Sequence, residues 1–389
     1  MSLINWQRLN FKIGEIFRLG FLLALIAWCI LPANSSDVFA YVGFGRIAGI
    51  YHLNPYIHGY SEISDFYSRY AWFKQSMPYG AIVLPIFILA GFLSQLNVFV
   101  SLYFLKLVSL VAYGCIVWLL YSILKPLNLN TSYSLFLFAF NPFILLELII
   151  NAHNDSLLIL FSLLAIFALQ RQWYTVAVGM ALLSTLVKIP GAVLLIAILA
   201  YLIQQRQWKA LIYSLISSLI LLGVLKITLL PNIEAISSLV NPNSEENSIF
   251  GVLLRQTKKF GLYAELKNNG FLRIHSILFG IFCLWRLRMI RDFHSLVKET
   301  IYLTLGLVTL YSVQFRPWYI TWLVPYAAIA KSEQLRQIIV LFSFTVLTFY
   351  AVPNRYLSFE VNAIQYILAY GVPLVVSGWI ATHPRVNTV

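Results

Sequence analysis

Long runs of apolar residues recur along almost the whole chain and limit its fold more than any other feature. The first run, Ile13 to Leu31, is long enough to cross the hydrocarbon core of a bilayer as a helix, at about 1.5 Å of rise per residue. Hydrophobic residues make up 60% of the sequence and charged residues only 11%, and the mean hydropathy is +0.80. These values exclude an ordinary water-soluble domain and predict a polytopic membrane protein.

About twelve such runs predict an all-α fold, a bundle of about 12 transmembrane spans. A further run, Ala81 to Asn97, follows Pro78 and carries Pro85 and Gly91, so we interpret it as a surface or re-entrant helix in the first outer loop. After the first span, the predicted spans are roughly 99 to 122, 132 to 150, 155 to 170, 173 to 187, 190 to 204, 209 to 230, 271 to 285, 299 to 314, 318 to 330, 335 to 352 and 361 to 381.

The distribution of basic residues predicts the orientation of the bundle. Arg8 and Lys12 precede the first span, and no convincing small-residue cleavage site follows it, which predicts a retained signal-anchor with its N-terminus in the cytoplasm. Most Lys and Arg residues then lie inside, and the short outer loops hold only Lys188, Arg316 and Arg355. Counting the ambiguous run as a span would place most of these cations outside, which the positive-inside rule disfavours.

This topology predicts one integral-membrane domain, 1–389, in the plasma (inner) membrane. Two long outer segments, 34–98 and 231–270, are the expected functional ectodomain, and the active site is expected on the extracytoplasmic face. The three cysteines fall in apolar helices and predict neither a disulfide nor a metal site. No glycine-rich nucleotide-binding loop occurs, so a lipid-borne activated substrate is the expected source of energy. Nucleic acid is not an expected partner, because the basic residues follow the membrane topology.

Four groups of polar residues come to the outer face in this topology. Together they supply carboxylates for acid/base chemistry and cations that stabilise a leaving phosphate, a combination that fits sugar transfer from a lipid phosphate. The motifs are Asp37 with Tyr41, followed in the same loop by Asn54-Pro55-Tyr56 and Pro78-Tyr79-Gly80; Asn141-Pro142 with His153-Asn154-Asp155; Lys188-Ile189-Pro190; and Arg316-Pro317-Trp318-Tyr319.

In this order, the motifs resemble those of the GT-C glycosyltransferases, membrane enzymes that use polyprenyl-phosphate sugars. The sequence is most similar to bacterial polyprenol-phosphate-mannose-dependent α-mannosyltransferases. The resemblance covers most of the chain, although the last fifth contributes little. The family often carries paired acidic residues in its first outer loop, whereas Asp37 is followed by Val38 and Phe39. This departure leaves dependence on a divalent metal open.

The resemblance implies that Asp37 is the general base of an inverting transfer. The donor would be a polyprenyl-phosphate hexose, with mannose as the first choice, and the acceptor a glycan or glycolipid of the cell envelope. Asp37 could instead cap a helix or pair with Arg46. Lys188 and Arg316 are the expected phosphate ligands, with Lys106 and Arg355 as lesser candidates. The expected acceptor-binding or sugar-binding residues are His153, Asn154, Asp155, Tyr56, Tyr79, Trp318 and Tyr319.

Other functions fit parts of the pattern. The same chemistry with a glucose or pentose donor depends on side chains that the sequence does not place. A lipid-linked sugar flippase or transporter also needs many helices and buried polar groups, but such proteins usually show internal repeats and charges at the membrane midplane. An inert envelope scaffold would tolerate replacement of Asp37. The polar groups here gather at one predicted surface, which favours the enzyme.

Overall fold

Every regular element in the described part of the chain is a helix, which confirms the all-α prediction. The computed structural model describes residues 11–71, 73–228, 248–251, 257, 260–262, 270–312, 315–351 and 364–382. Two compact units are distinguished, Met1–Asn243 with Ile290–Phe293, and Ser244–Met289 with His294–Val389. The first unit contains α1 (Ile13–Cys29), α2 (Asp37–Gly49), α3 (Leu84–Leu93), α4 (Val98–Leu124), α5 (Thr131–Ala139), α6 (Pro142–Ile150), α7 (Asp155–Gln170), α8 (Tyr174–Val187), α9 (Ala192–Gln204) and α10 (Trp208–Thr228), with 3₁₀ turns at Tyr60–Glu62, Phe66–Arg69, Ala81–Val83, Lys125–Leu127 and Ile189–Gly191.

Asparagine side chains fix where several of these helices begin. The side-chain oxygen of Asn97 accepts a hydrogen bond from the Phe99 amide at 2.8 Å at the start of α4. Asn141 does the same for Phe143 at 3.0 Å, with Pro142 as the first residue of α6. Such oxygens satisfy backbone donors that have no partner inside the helix. The apolar run 132–150 is therefore interrupted at Asn141, and α5 and α6 meet at 43°.

Only some of the helices are long enough to cross a membrane by length and composition. Within the described residues these are Val98–Leu127 and Trp208–Lys226, and the bent pair of α5 and α6 makes a third if it is one broken span. The prediction of about 12 spans is thus not confirmed, and it stays a prediction. The shorter apolar helices are Ala81–Leu93, Asp155–Gln170, Tyr174–Val187, Ile189–Gln204 and Ile364–Trp379.

The segment between α1 and α4, predicted to be the first outer loop, is anchored by close packing of α2 on α3. A Cβ atom added to Gly45 would lie 1.6 Å from the carbonyl oxygen of Phe87, and one added to Gly91 would lie 2.6 Å from the carbonyl carbon of Gly45. The two backbones approach this closely only because neither glycine carries a side chain. The contact fixes the orientation of α2, the helix that begins at Asp37.

We expect Gly45→Ala to destabilise the protein by about 1–3 kcal/mol or more, because the methyl group would overlap the α3 backbone. Gly114→Ala, in α4, is the matched control, since nothing lies within 4 Å of its added Cβ, and alanine favours a helix by about 0.5–1 kcal/mol. Thermal unfolding in detergent measures both. Equal melting temperatures for the two variants would contradict the close approach.

A buried arginine holds the rest of this loop together. The guanidinium of Arg46, which is 3% exposed, pairs with Asp65 at 2.5 Å and donates hydrogen bonds to Tyr60 and Ser94, each at 2.7 Å. Asp65 also accepts a hydrogen bond from the Tyr51 hydroxyl. Arg46 therefore pairs with Asp65, and the structure gives no support to the alternative ion pair between Arg46 and Asp37.

The Asp65 carboxylate makes the stability of this loop depend on pH. Burial alone would raise the pKa of Asp65, but hydrogen bonds from Tyr51, Arg46 and Tyr60 outweigh it and lower the pKa from 3.8 to about 2. The ionised form is thus favoured in the folded state, a contribution of about 2 kcal/mol that is present above about pH 4 and lost as the pH falls toward 2.

We therefore expect unfolding to become easier between about pH 4 and pH 2 in the wild type. In Asp65→Asn the acid-dependent part of this loss should be smaller, and stability at neutral pH should be lower. Denaturant unfolding at a series of pH values measures both effects. Parallel curves for the two proteins would show that Asp65 is not the group responsible.

The second unit is built around aromatic side chains. Phe315 stacks on Phe342 with ring centroids 6.2 Å apart and packs edge-on against Tyr370 at 5.4 Å, contacts typical of aromatic cores. Its described helices are α11 (Phe271–Arg288), α12 (Phe293–Leu305) with the π-helix Gly306–Tyr311, the 3₁₀ helix Pro317–Trp322, α13 (Leu323–Ile329), α14 (Glu333–Thr345), α15 (Thr348–Ala351), and α16 (Val372–Thr382) after the π-helix Ile367–Gly371.

Candidate functional site

Asp37 is the first residue of α2, at the end of the chain segment that follows α1. Ser36 is the N-cap residue, and a carboxylate in the first turn is favoured by the helix dipole. The Asp37 side chain is 27% exposed, and its Oδ2 atom accepts a hydrogen bond from the Tyr79 hydroxyl at 3.3 Å. Asp37 is therefore held by its surroundings while part of its surface stays open to a ligand.

The turn between α6 and α7 brings polar side chains toward Asp37. The last six residues of α6, Leu145–Ile150, form a π-helix, a feature frequent at functional sites. Ala152 has φ = 52°, which costs a non-glycine residue of order 1–2 kcal/mol. The His153 amide then donates to the carbonyl of Glu147 at 3.1 Å, so the turn folds back over the end of α6.

His153 lies between two carboxylates. Its Nδ1 atom is 3.6 Å from Oδ2 of Asp37, and its Nε2 atom is 3.3 Å from Oε2 of Glu147. His153 and Glu147 are fully buried. Burial lowers the pKa of His153, but Glu147 and Asp37 outweigh burial, so the pKa is raised above its ordinary value. The structure thus brings the predicted residues Asp37 and His153 together and adds a buried partner, Glu147, on the other side of His153.

Asp155 and Lys188 form an ion pair beside this group. The Lys188 ammonium is 3.2 Å from both carboxylate oxygens of Asp155, which is fully buried. The same ammonium lies 5.5 Å from the centre of the Tyr79 ring, within cation–π range. Lys188 is thereby fixed against both the α7 terminus and the outer loop.

A glycine lets the segment between α1 and α4 approach the end of α8, next to Lys188. The Gly80 amide donates to the carbonyl of Val187 at 3.0 Å, at the end of α8. A Cβ atom on residue 80 would lie 1.9 Å from the carbonyl oxygen of Leu186. Only glycine permits this approach, so the Pro78-Tyr79-Gly80 motif places Tyr79 between Asp37 and Lys188.

Two tyrosines connect the groups. The Tyr41 hydroxyl and the Asn154 side-chain oxygen are 3.4 Å apart, and the rings of Tyr41 and Tyr79 pack edge-on at 5.2 Å. Burial, reinforced by Asp37, raises the pKa of Tyr79 well above its ordinary value, so its hydroxyl remains a donor. Tyr56 is also buried, at 3% exposure, but the described contacts do not bring it to Asp37.

Lys106, a lesser phosphate candidate, is bound to backbone. It is fully buried in α4, and its ammonium donates to the backbone carbonyls of Ile149 at 2.6 Å and Ile150 at 2.9 Å. These carbonyls lie at the end of α6, where an intrahelical partner is missing. Lys106 therefore stabilises the end of the π-helix, and its role as a phosphate ligand stays a prediction.

The remaining predicted residues lie elsewhere in the chain. Arg316 belongs to the second unit, where its guanidinium lies 5.8 Å from the Trp318 ring, and Tyr319 stacks on Trp322 at 4.5 Å. Their participation with Asp37 in one site stays a prediction. Arg355 lies outside the described residues, as does most of the predicted second outer loop, 231–270.

Sequence reasoning missed Glu147 and Asn151. Glu147 is the only carboxylate in the apolar run 132–150, and an ionisable residue in such a run is a functional candidate by default. That signal was available in the sequence. Asn151 lies two residues before the His153-Asn154-Asp155 motif, but its contacts depend on the fold: its Oδ1 atom accepts from the amides of Ala33 at 3.2 Å and Asn34 at 3.3 Å.

In the part of the chain that the structure describes, no group of three or more His, Cys, Asp or Glu side chains is placed to hold a metal ion.

The described helices carry many exposed apolar residues, and the partly exposed Asp37 carboxylate lies near the Lys188–Asp155 ion pair. These features are those of a membrane protein with a polar site. The family comparison gives its class. The chain belongs to the MptA_B family: the family model described as "Alpha-(1->6)-mannopyranosyltransferase, N-terminal domain" matches residues 4–204. This shows a mannosyltransferase of GT-C type. No curated protein matches the chain significantly.

We expect Lys188→Gln to destabilise the protein by about 3 kcal/mol or more, because it leaves the buried Asp155 carboxylate without this cation. The double variant Lys188→Gln/Asp155→Asn removes both charges and should recover much of the loss. Thermal unfolding in detergent of both proteins and of Asp155→Asn completes a double-mutant cycle. Additive effects would contradict a coupled pair.

Proposed function

We propose that this mannosyltransferase moves mannose from a polyprenyl-phosphate donor to an acceptor hydroxyl at the outer face of the membrane, with inversion and with Asp37 as general base. The observation that carries the proposal is the geometry of Asp37. Its carboxylate is partly exposed, one oxygen contacts Tyr79, and His153 lies within ion-pair distance. A positioned carboxylate of this kind suits proton removal from a hydroxyl.

In the proposed reaction, an Asp37 oxygen takes the proton of the acceptor hydroxyl. The acceptor oxygen forms a bond to the anomeric carbon from the face opposite the phosphate. The bond from that carbon to the phosphate oxygen breaks, and its electron pair leaves with polyprenyl phosphate. The family description supports an α-(1→6) product. An inverting step gives an α linkage only from a β-configured donor, and O6 of a mannoside is the matching acceptor.

The leaving group explains the need for cations. A polyprenyl-phosphate sugar carries one negative charge on its phosphodiester, and the departing phosphomonoester gains a second. Fixed positive groups stabilise this charge as it develops. Lys188 is held near Asp37 through Asp155 and Tyr79, and we assign the phosphate to it. Asp155, His153, Asn154 and Tyr79 complete this part of the proposed site.

We expect Asp37→Asn to lower turnover by about 10²–10⁴-fold, the range typical for loss of a general base, while donor binding is retained. The assay follows release of free polyprenyl phosphate from synthetic polyprenyl-phosphate β-mannose by the full chain in lipid nanodiscs, with a mixture of α-mannoside acceptors. Glu62→Gln is the matched control, because Glu62 is an exposed carboxylate of the same outer loop, and it should keep wild-type turnover.

The outcomes separate the candidate functions. A folded Asp37→Asn protein with full activity would remove Asp37 from the mechanism. Turnover with polyprenyl-phosphate glucose or pentose but not mannose would change the donor and leave the chemistry intact. An absence of turnover with every donor, together with movement of the intact lipid between leaflets, would support the transporter.

A further inference from the structure

Glu147 is a buried carboxylate that the proposed transfer does not yet use. It is fully buried on the π-helical part of α6. Its Oε2 atom accepts a hydrogen bond from Asn151 at 3.1 Å and lies 3.3 Å from Nε2 of His153. Its Oε1 atom is buried and has no hydrogen-bond partner within the described residues. Such a carboxylate is costly to bury unless a positive partner compensates its charge.

The stability of the fold does not explain why Glu147 is buried against His153. Replacing a buried ion pair with apolar residues is often neutral or stabilising, and a backbone at φ = 52° on Ala152 adds further cost. Strain and buried charge that gather next to a partly exposed carboxylate are typical of functional sites. The two nitrogen atoms of His153 also face different carboxylates: Nε2 contacts Glu147, and Nδ1 faces Asp37.

We propose that Glu147 is a positioning residue that acts through His153: it keeps His153 protonated and directed at Asp37, so that Asp37 turns one oxygen to the acceptor hydroxyl. This inference rests on the proposed function. Neither Glu147 nor His153 exchanges a proton with the substrate. The Oδ2 atom of Asp37 is engaged by Tyr79 and His153, and Oδ1 is the oxygen that takes the acceptor proton.

A cationic His153 would balance the charges around it. Three carboxylates, Asp37, Glu147 and Asp155, act on His153, and like charges repel one another. A proton on His153 offsets this repulsion at the one carboxylate that faces the substrate. The charged and titratable groups around His153 are Asp37 and Tyr41 from α2, Tyr79 from the outer loop, Glu147 from α6, Asp155 from α7, Lys188 after α8, and Lys106 from α4 at the carbonyls that end α6.

The first test measures the imidazole itself. In protein labelled with ¹³C-histidine, the His153 resonance is assigned by its loss in His153→Gln and is titrated by NMR. We expect it to titrate above about 6.5, the ordinary value for histidine, and to move down by about one pH unit or more in Glu147→Gln. This readout does not depend on activity, so it stands even if the donor assignment fails.

The second test is the pH profile of kcat/KM for mannosyl transfer. In Glu147→Gln, Asp37 should lose the cationic His153 as its neighbour. The acidic limb of the profile should then move up by about one pH unit. His153→Gln should give a similar shift, and the double variant should show no further one. Glu147→Asp, which keeps the charge, should restore the wild-type limb. Glu62→Gln is the matched control, because it removes the carboxylate of an exposed pair, His58–Glu62 at 2.7 Å, and should leave the limb unchanged.

Each failure has a separate meaning. Wild-type protein that transfers no sugar would overturn the proposed function, while the NMR titration would still decide on Glu147. A Glu147→Gln protein that lowers the rate equally at all pH values, with an unchanged His153 titration, would show a structural role only. If that variant does not fold, a wild-type His153 that titrates at or below about 6.5 overturns the proposal.

Discussion

The turn between α6 and α7 must satisfy several polar groups inside an apolar bundle, and the site depends on how it does so. Asn151 accepts two backbone amides of the segment after α1 and donates to Glu147. Lys106 binds the carbonyls at the end of α6. Unpaired, each of these groups would cost about 1–3 kcal/mol or more. Their pairing therefore fixes the segment after α1, the end of α6 and the start of α7 relative to one another.

The segment between α1 and α4 positions Asp37 and Tyr79, on the other side of the site. Gly45 and Gly91 let α2 pack directly on α3, while Arg46 binds Asp65 and Tyr60. These contacts orient α2, and Asp37 is its first residue. Gly80 lets this segment contact the end of α8. The neighbouring Tyr79 is thereby placed to donate to Asp37. On α2, Gly45 and Arg46 thus hold the fold, whereas Asp37 belongs to the proposed site.

The family membership and the geometry support the same chemistry by independent routes. The family model covers the half of the chain that contains Asp37, His153, Asp155 and Lys188, and the structure brings these residues into contact through ion pairs and hydrogen bonds. Two predicted cations differ in their surroundings. Lys188 is partly exposed, at 13%, whereas Lys106 is fully buried and donates to backbone carbonyls.

The sequence alone determined the helical class and the positions of most helices, because apolar runs of sufficient length form helices wherever their backbone groups cannot reach water. It also indicated Asp37, His153 and Lys188, since charged residues at the ends of apolar runs are rare and costly. Only the tertiary structure decided which groups pair. That Glu147 faces His153, and that Arg46 chooses Asp65 over Asp37, follows from backbone approaches and helix orientations that no local pattern specifies. Pairing energies depend on distances of a few ångströms between residues far apart in the chain, and packing sets those distances.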